Sequence, residues 1–200
     1  TVPLTDVRLG FSDVDLRWWR AAAPSTALTG ELALQATASG EYDGTLQLTN
    51  PRAATLDMGG LPLTAARARL RLTANAWHLH ELELRLLHGG LLRGEADWRL
   101  AGQQGRARLQ ALAFDPAAFD SRAPDLNLQG VLTLAADAAG QKATLALHDE
   151  QWQLAGELLR QGTQVELSNL KVRRGKLQFS GSGRMRLDAA QSFHLDARME

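Results

Sequence analysis

Two histidines two positions apart, His78 and His80, with His88 further along, are the side chains whose type and spacing come closest to a metal site. Alternate residues of a strand share a face, and imidazole is a common zinc ligand. Glu81 and Glu83 lie beyond a break in the alternation and no second cluster supplies ligands, so the three histidines read as solvent-face residues and no metal is expected. Asp13 and Asp15 flank Val14 at a spacing an acid/base pair could use, but alternating carboxylates on a wet strand face have the same spacing, and no catalytic role is assigned to them. The ladder Arg67, Arg69 and Arg71 could touch lipid phosphates at a rim, and a solvated outer face explains it equally well. The chain has no nucleophile elbow, phosphate-binding glycine loop, zinc-protease helix or dinucleotide fingerprint; Gly181-Ser182-Gly183 sits inside a strand pattern. Without cysteine there are no disulfides, thiolate ligands or thiol nucleophiles. No enzyme and no cofactor are expected.

The elements that would position these residues are strands. Apolar and polar residues alternate in segment after segment: Leu46 and Leu48 between Thr45, Gln47 and Thr49; Ala68, Leu70 and Leu72 between Arg67, Arg69 and Arg71; Leu132, Leu134 and Ala136; Trp152, Leu154 and Leu158. Turn signals separate them at hairpin distances: Ser39-Gly40, Asp43-Gly44, Gly89-Gly90, Ala101-Gly102, Ala139-Gly140, Gln161-Gly162 and Arg174-Gly175. Helix signals are confined to Asp115–Asp120, with Asp at the cap and Pro116 in the first helical position, and to Arg20–Ala23, stopped by Pro24. The expectation is an all-β chain, a long curved antiparallel meander with one or two short helical turns.

An internal repeat strengthens it. Trp77, Leu79, Leu82 and Leu84 correspond, at a constant offset of 88 residues, to Val165, Leu167, Leu170 and Val172. Each copy skips one residue at the same place, His80-Glu81 and Ser168-Asn169, which in a strand means a bulge that bends the sheet and keeps leucines on one side. Phe11, Val14, Leu16 and Trp18, and Leu109, Leu112 and Phe114, share the skip. Residues 1–200 read as one continuous segment of a longer protein, repeated over approximately 1–114 and 115–200.

The chain is 44% hydrophobic and 22% charged, so it folds; its 22 basic and 22 acidic residues cancel, leaving no field to gather nucleic acid. About thirty large apolar side chains fall on one phase of the strands, each worth about 1.5–3 kcal/mol when removed from water, and the short helical turns are too small to cover them. A closed sandwich, an open groove and a membrane barrel all satisfy that demand. Aromatics at 6%, with the five tryptophans scattered, argue against the girdled barrel.

The meander 82–98 (LELRLLHGGLLRGEADW) followed by 109–119 (LQALAFDPAAF), the segment from Asn50-Pro51 to Leu63 ahead of the Arg/Leu ladder, and 124–130 (PDLNLQG) resemble the repeats of the TamB family of AsmA-like proteins over nearly the whole chain. The resemblance implies a β-taco, an antiparallel sheet folded lengthwise into an open hydrophobic groove. It also implies a periplasmic, inner-membrane-anchored protein that moves phospholipid between membranes and works with an outer-membrane barrel of the TamA kind through another part of the chain. Acyl chains would then lie against Leu32, Leu34, Leu46, Leu48, Leu70, Leu72, Leu84, Leu132, Leu134, Leu145, Leu147, Leu167, Leu170, Phe179 and Leu187. A scaffold that receives strands of an outer-membrane protein at a sheet edge is the alternative.

Overall fold

The computed structural model describes residues 5–186 and 193–199. Thirteen strands form one antiparallel sheet in which each pairs only with its neighbours in the chain: β1 Asp6–Val14, β2 Leu28–Ala36, β3 Tyr42–Thr49, β4 Leu63–Leu72, β5 Ala76–Leu86, β6 Leu91–Arg99, β7 Gln104–Phe114, β8 Leu128–Asp137, β9 Gly140–His148, β10 Trp152–Gln161, β11 Gln164–Arg174, β12 Leu177–Arg186 and β13 Phe193–Met199. β1 does not return to β13, so the sheet stays open and the all-β meander expected from the alternation is what forms.

Among the described residues helical structure is limited to four 3-10 turns, η1 Leu16–Trp18, η2 Leu56–Met58, η3 Leu87–Gly89 and η4 Pro116–Ala118. A meander places every odd-to-even connection at the same end of the sheet, so these four turns share one rim; tight turns such as 73–75 and 162–163 form the other. η4 starts as its sequence dictates: the Asp115 carboxylate accepts from the Ala117 N–H at 3.0 Å, and Pro116 supplies the pre-set φ of a first helical residue. Arg20–Ala23 closes a single hydrogen-bonded turn, Ala23 N–H donating to Arg20 O at 2.8 Å, and the helical turn lies before it. Asp15 caps the chain four residues earlier by accepting from Arg17 N–H, which pulls Leu16 and Trp18 out of the strand pattern and into η1. Asp43-Gly44 is likewise no turn. Gly44 lies within β3, where a Cβ would collide with the Ala33 carbonyl of β2.

The skips in the alternation are bulges. Pairing shifts between Phe11 and Val14, Leu79 and Leu82, Ala111 and Phe114, and Leu167 and Leu170. Within three of them sits a residue in the left-handed region: Asp13 at φ 53°, Glu81 at 49° and Asn169 at 53°. An unpaired residue in this conformation bends its strand and returns the next side chain to the original face.

The register exposes a deeper repetition. β1 and β2 recur in β7 and β8 at an offset of 100 residues: Phe11 pairs with Gly30 as Ala111 pairs with Gly130, and Val14 with Leu28 as Phe114 with Leu128. At both Gly30 and Gly130 a Cβ would meet a carbonyl of the following strand, Gln47 and Ala146 respectively. β4 and β5 recur in β10 and β11 at the 88-residue offset, Leu70 with Leu79 as Leu158 with Leu167. The offset drops in the connection after β3, which runs over 50–62 in the first unit and only 149–151 in the second. β7, placed in the first unit by the sequence pattern, is therefore the counterpart of β1.

Loop 50–62 straps the rim together. Asn50 Oδ1 accepts from Ala27 N–H at 3.0 Å, and Gly59 O accepts from Ser25 N–H at 2.8 Å. At its far side Leu56 N–H donates to Phe119 O at 2.9 Å, and the Asp57 carboxylate accepts from the Ser121 hydroxyl at 2.6 Å.

Candidate functional site: the apolar face

Residues paired directly across antiparallel strands lie on the same face. The pairing carries one row from Val7 through Leu34, Gly44, Leu70 and Leu79 to Ala96, and onward through Ala107, Leu134, Ala143 and Leu158 to Leu167. A second row contains Leu32 and Leu46 on one side and Leu109, Leu132 and Leu145 on the other. A third runs from Leu48 through Ala66, Leu84, Leu92 and Ala111, and continues beyond Gly130 with Leu147, Leu154, Val172 and Phe179. The bulges keep these rows in step, and Leu170 rejoins the second row opposite Gly181.

Of the residues expected to line a groove, Leu34, Leu70, Leu134 and Leu167 stand in the first row, and Leu32, Leu46, Leu132, Leu145 and Leu170 in the second. Leu48, Leu84, Leu147 and Phe179 stand in the third, with Leu72 beside Trp77 at the short-turn rim. Leu187 lies outside the described residues. Leu147 is buried, Leu134 is exposed and the other twelve are half-buried.

The two halves of this face differ. Towards the long-turn rim Leu86, Leu92, Leu109, Ala111, Leu128 and Leu147 form a buried cluster, onto which Phe119 and Leu126 fold from the η4 loop. Towards the short-turn rim nothing covers it among the described residues: Trp77 is 49% exposed, Leu134 43% and Leu158 39%. The leucines do not seal one another off as in a sandwich. The chain presents 13292 Å² to solvent, where a compact fold of its mass would present about 9,200 Å².

The opposite face is charged and paired. Arg67, Arg69 and Arg71 engage Glu83 at 2.8 Å, Glu81 at 3.1 Å and Asp43 at 2.9 Å, so the arginine ladder is a set of cross-strand ion pairs. Glu83 is almost fully buried among guanidinium groups; burial pushes its carboxyl up, and Arg67, Arg93 and Arg85 outweigh that, holding it below the usual range. His78 Nδ1 lies 2.6 Å from Asp97, and His78 stacks on His80 at 6.2 Å between ring centroids. His88 reaches away to the buried Asp115 at 2.8 Å, beside the N–H groups that Asp115 accepts from Ala117 and Leu126. His88 is thus separate from the stacked His78–His80 pair, and among the described residues no three metal-ligating side chains converge. Asp13 serves a bulge and Asp15 a turn cap, where the Arg17 guanidinium holds the Asp15 carboxyl at about 2.

Sequence reasoning placed Trp77, Leu79 and Leu158 among the alternating apolar positions without assigning them to the groove wall, and did not pair Trp77 with Trp98. Trp77 and Trp98 are direct cross-strand partners. The 88-residue offset was the available signal, since it sets Leu79 against Leu167. No family model, curated protein or solved structure matches the chain. Among the described residues no helix is long and apolar enough to cross a membrane.

Proposed function

We propose that this chain is a periplasmic segment of a TamB-like protein, and that it shields the acyl chains of phospholipids passing between two membranes. The observation that carries this reading is the continuity of apolar rows across an unclosed sheet, open along one rim. Hydrocarbon lying on such a face leaves water at about 0.8 kcal/mol per methylene, and headgroups stay wet at the short-turn rim. Movement then needs no bond-making by the protein, and an outer-membrane barrel of the TamA kind would engage another part of the chain.

Photo-crosslinking from Leu132 on the apolar face and from Arg108 on the charged face tests the reading. Lipid adducts are expected from the first position and not from the second. Leu84→Asp and Leu170→Arg set an uncompensated charge in the hydrocarbon's path and should reduce co-purifying lipid severalfold. Wild-type lipid content in both variants would defeat the proposal.

The unpaired edges of β1 and β13 favour a second reading, in which strands of an outer-membrane protein add to the sheet. Crosslinks from β1 that capture polypeptide, together with no lipid at Leu132, would select it.

A further inference from the structure

Among the described strand positions on the apolar face, charge occurs at two places, Arg160 of β10 and Arg174 of β11. Arg174 is engaged: its guanidinium lies 5.0 Å from the centre of the Trp152 ring and Nη2 donates to Gln151 Oε1 at 3.4 Å. Arg160 is different. Its Nε donates to Gly162 O at 3.2 Å, within its own hairpin, and among the described residues no carboxylate pairs with it.

Arg160 stands at the mouth of a recess of about 430 Å³ in the open half of the face. Leu79, Trp98, Leu134 and Leu158 wall it, the Trp98 ring lying over Gly105 where a Cβ would collide with it, and the small side chain of Ala107 lies between them. Asp97, Arg106 and Lys142 also border the recess, but the pairing places all three on the charged face, where Asp97 meets His78 and Lys142 meets Glu157 at 2.7 Å. The recess therefore offers hydrocarbon-compatible walls and, from the apolar face itself, one cation with unused donors at the rim, where the chain turns into water.

A guanidinium presents a planar fork that matches the oxygens of a phosphate, and a charge-assisted pair beside an apolar surface is stronger than one in open water. From this we infer that the recess holds one acyl chain of an anionic phospholipid, with the phosphate on Arg160. The inference rests on the lipid-shielding reading above and adds to it a headgroup preference and a defined stopping place.

Binding of phosphatidylglycerol, phosphatidylcholine and a fatty acid of equal chain length to the whole chain, followed by native mass spectrometry and tryptophan fluorescence, tests it. Wild type should hold phosphatidylglycerol about tenfold tighter than phosphatidylcholine, as one charge-assisted pair allows. Arg160→Gln should erase that preference by weakening phosphatidylglycerol more than phosphatidylcholine, whose phosphate is already offset by its own choline cation, Arg160→Lys should restore part of it, and Ala107→Phe should weaken both lipids by filling the recess. Equal affinities in wild type, an unchanged preference in Arg160→Gln, or a fatty acid held tighter than phosphatidylglycerol overturns this assignment and leaves the wider reading standing. Absence of any bound lipid in wild type overturns both.

Discussion

Three bulge residues, Asp13, Glu81 and Asn169, adopt a backbone conformation that glycine would adopt freely. For an L-residue the left-handed region costs about 1–2 kcal/mol, and Asn tolerates it best because its short amide can hydrogen-bond locally. Asn169 follows that preference, whereas Glu81 occupies the equivalent bulge with a longer side chain tied to Arg69. Asn169→Val places a β-branched residue where its Cβ is least welcome and should destabilise the chain by about 1–2 kcal/mol, while Asn169→Gly should be tolerated. Denaturant titration of the two variants separates them, and equal midpoints would show that the bulge imposes no such demand. The bulge itself was legible because Leu167 and Leu170 break a period of two. Its left-handed backbone was not, since Glu81, which fills the equivalent bulge, is not a residue type that favours that conformation.

Among the elements, loop 50–62 does most to tie separate turns together, and it was the least legible. Nothing in Asn50-Pro51 or Gly59-Gly60 says that this connection reaches η1 on one side and η4 on the other, because its bonds are to backbone groups distant in sequence. The same loop concealed the full repeat: a longer insert in one copy changes the offset from 100 to 88, and the first pair of strands shares few residue types with its counterpart. One tie titrates. The Ser121 hydroxyl and the Ser121 N–H hold the Asp57 carboxyl at about 2 against an ordinary value of 3.8. A carboxyl depressed by folding stabilises the folded state fully above the ordinary value, and the contribution is lost as pH falls towards the folded one. Stability measured from pH 5 to pH 2 should fall more steeply in wild type than in Ser121→Ala, which has already lost the bond. Parallel curves would remove Asp57 from the account.

For the whole molecule, alternation and turn residues sufficed to read a one-sheet meander, because each strand needs only its sequence neighbours. Whether the sheet closes on itself was not readable from composition; it depends on how η4 packs and on glycines such as Gly94, where a Cβ would run into the Arg108 carbonyl. In chains built this way stability approximates a sum over neighbours, so opening starts at the ends. Amide exchange should be slowest in β6–β9, which carry most of the buried cluster around Leu109 and Leu128, and should quicken towards β1 and β12. Uniform protection across the strands would contradict this.

Because the apolar rows cross the strands at right angles, neighbouring side chains of one row stand roughly 4.8 Å apart, the distance between adjacent strands. Over the thirteen described strands a row spans about 60 Å. A flexible hydrocarbon longer than that spacing would bridge the small residues that interrupt a row, such as Gly44 and Ala96, and rest on the leucines to either side.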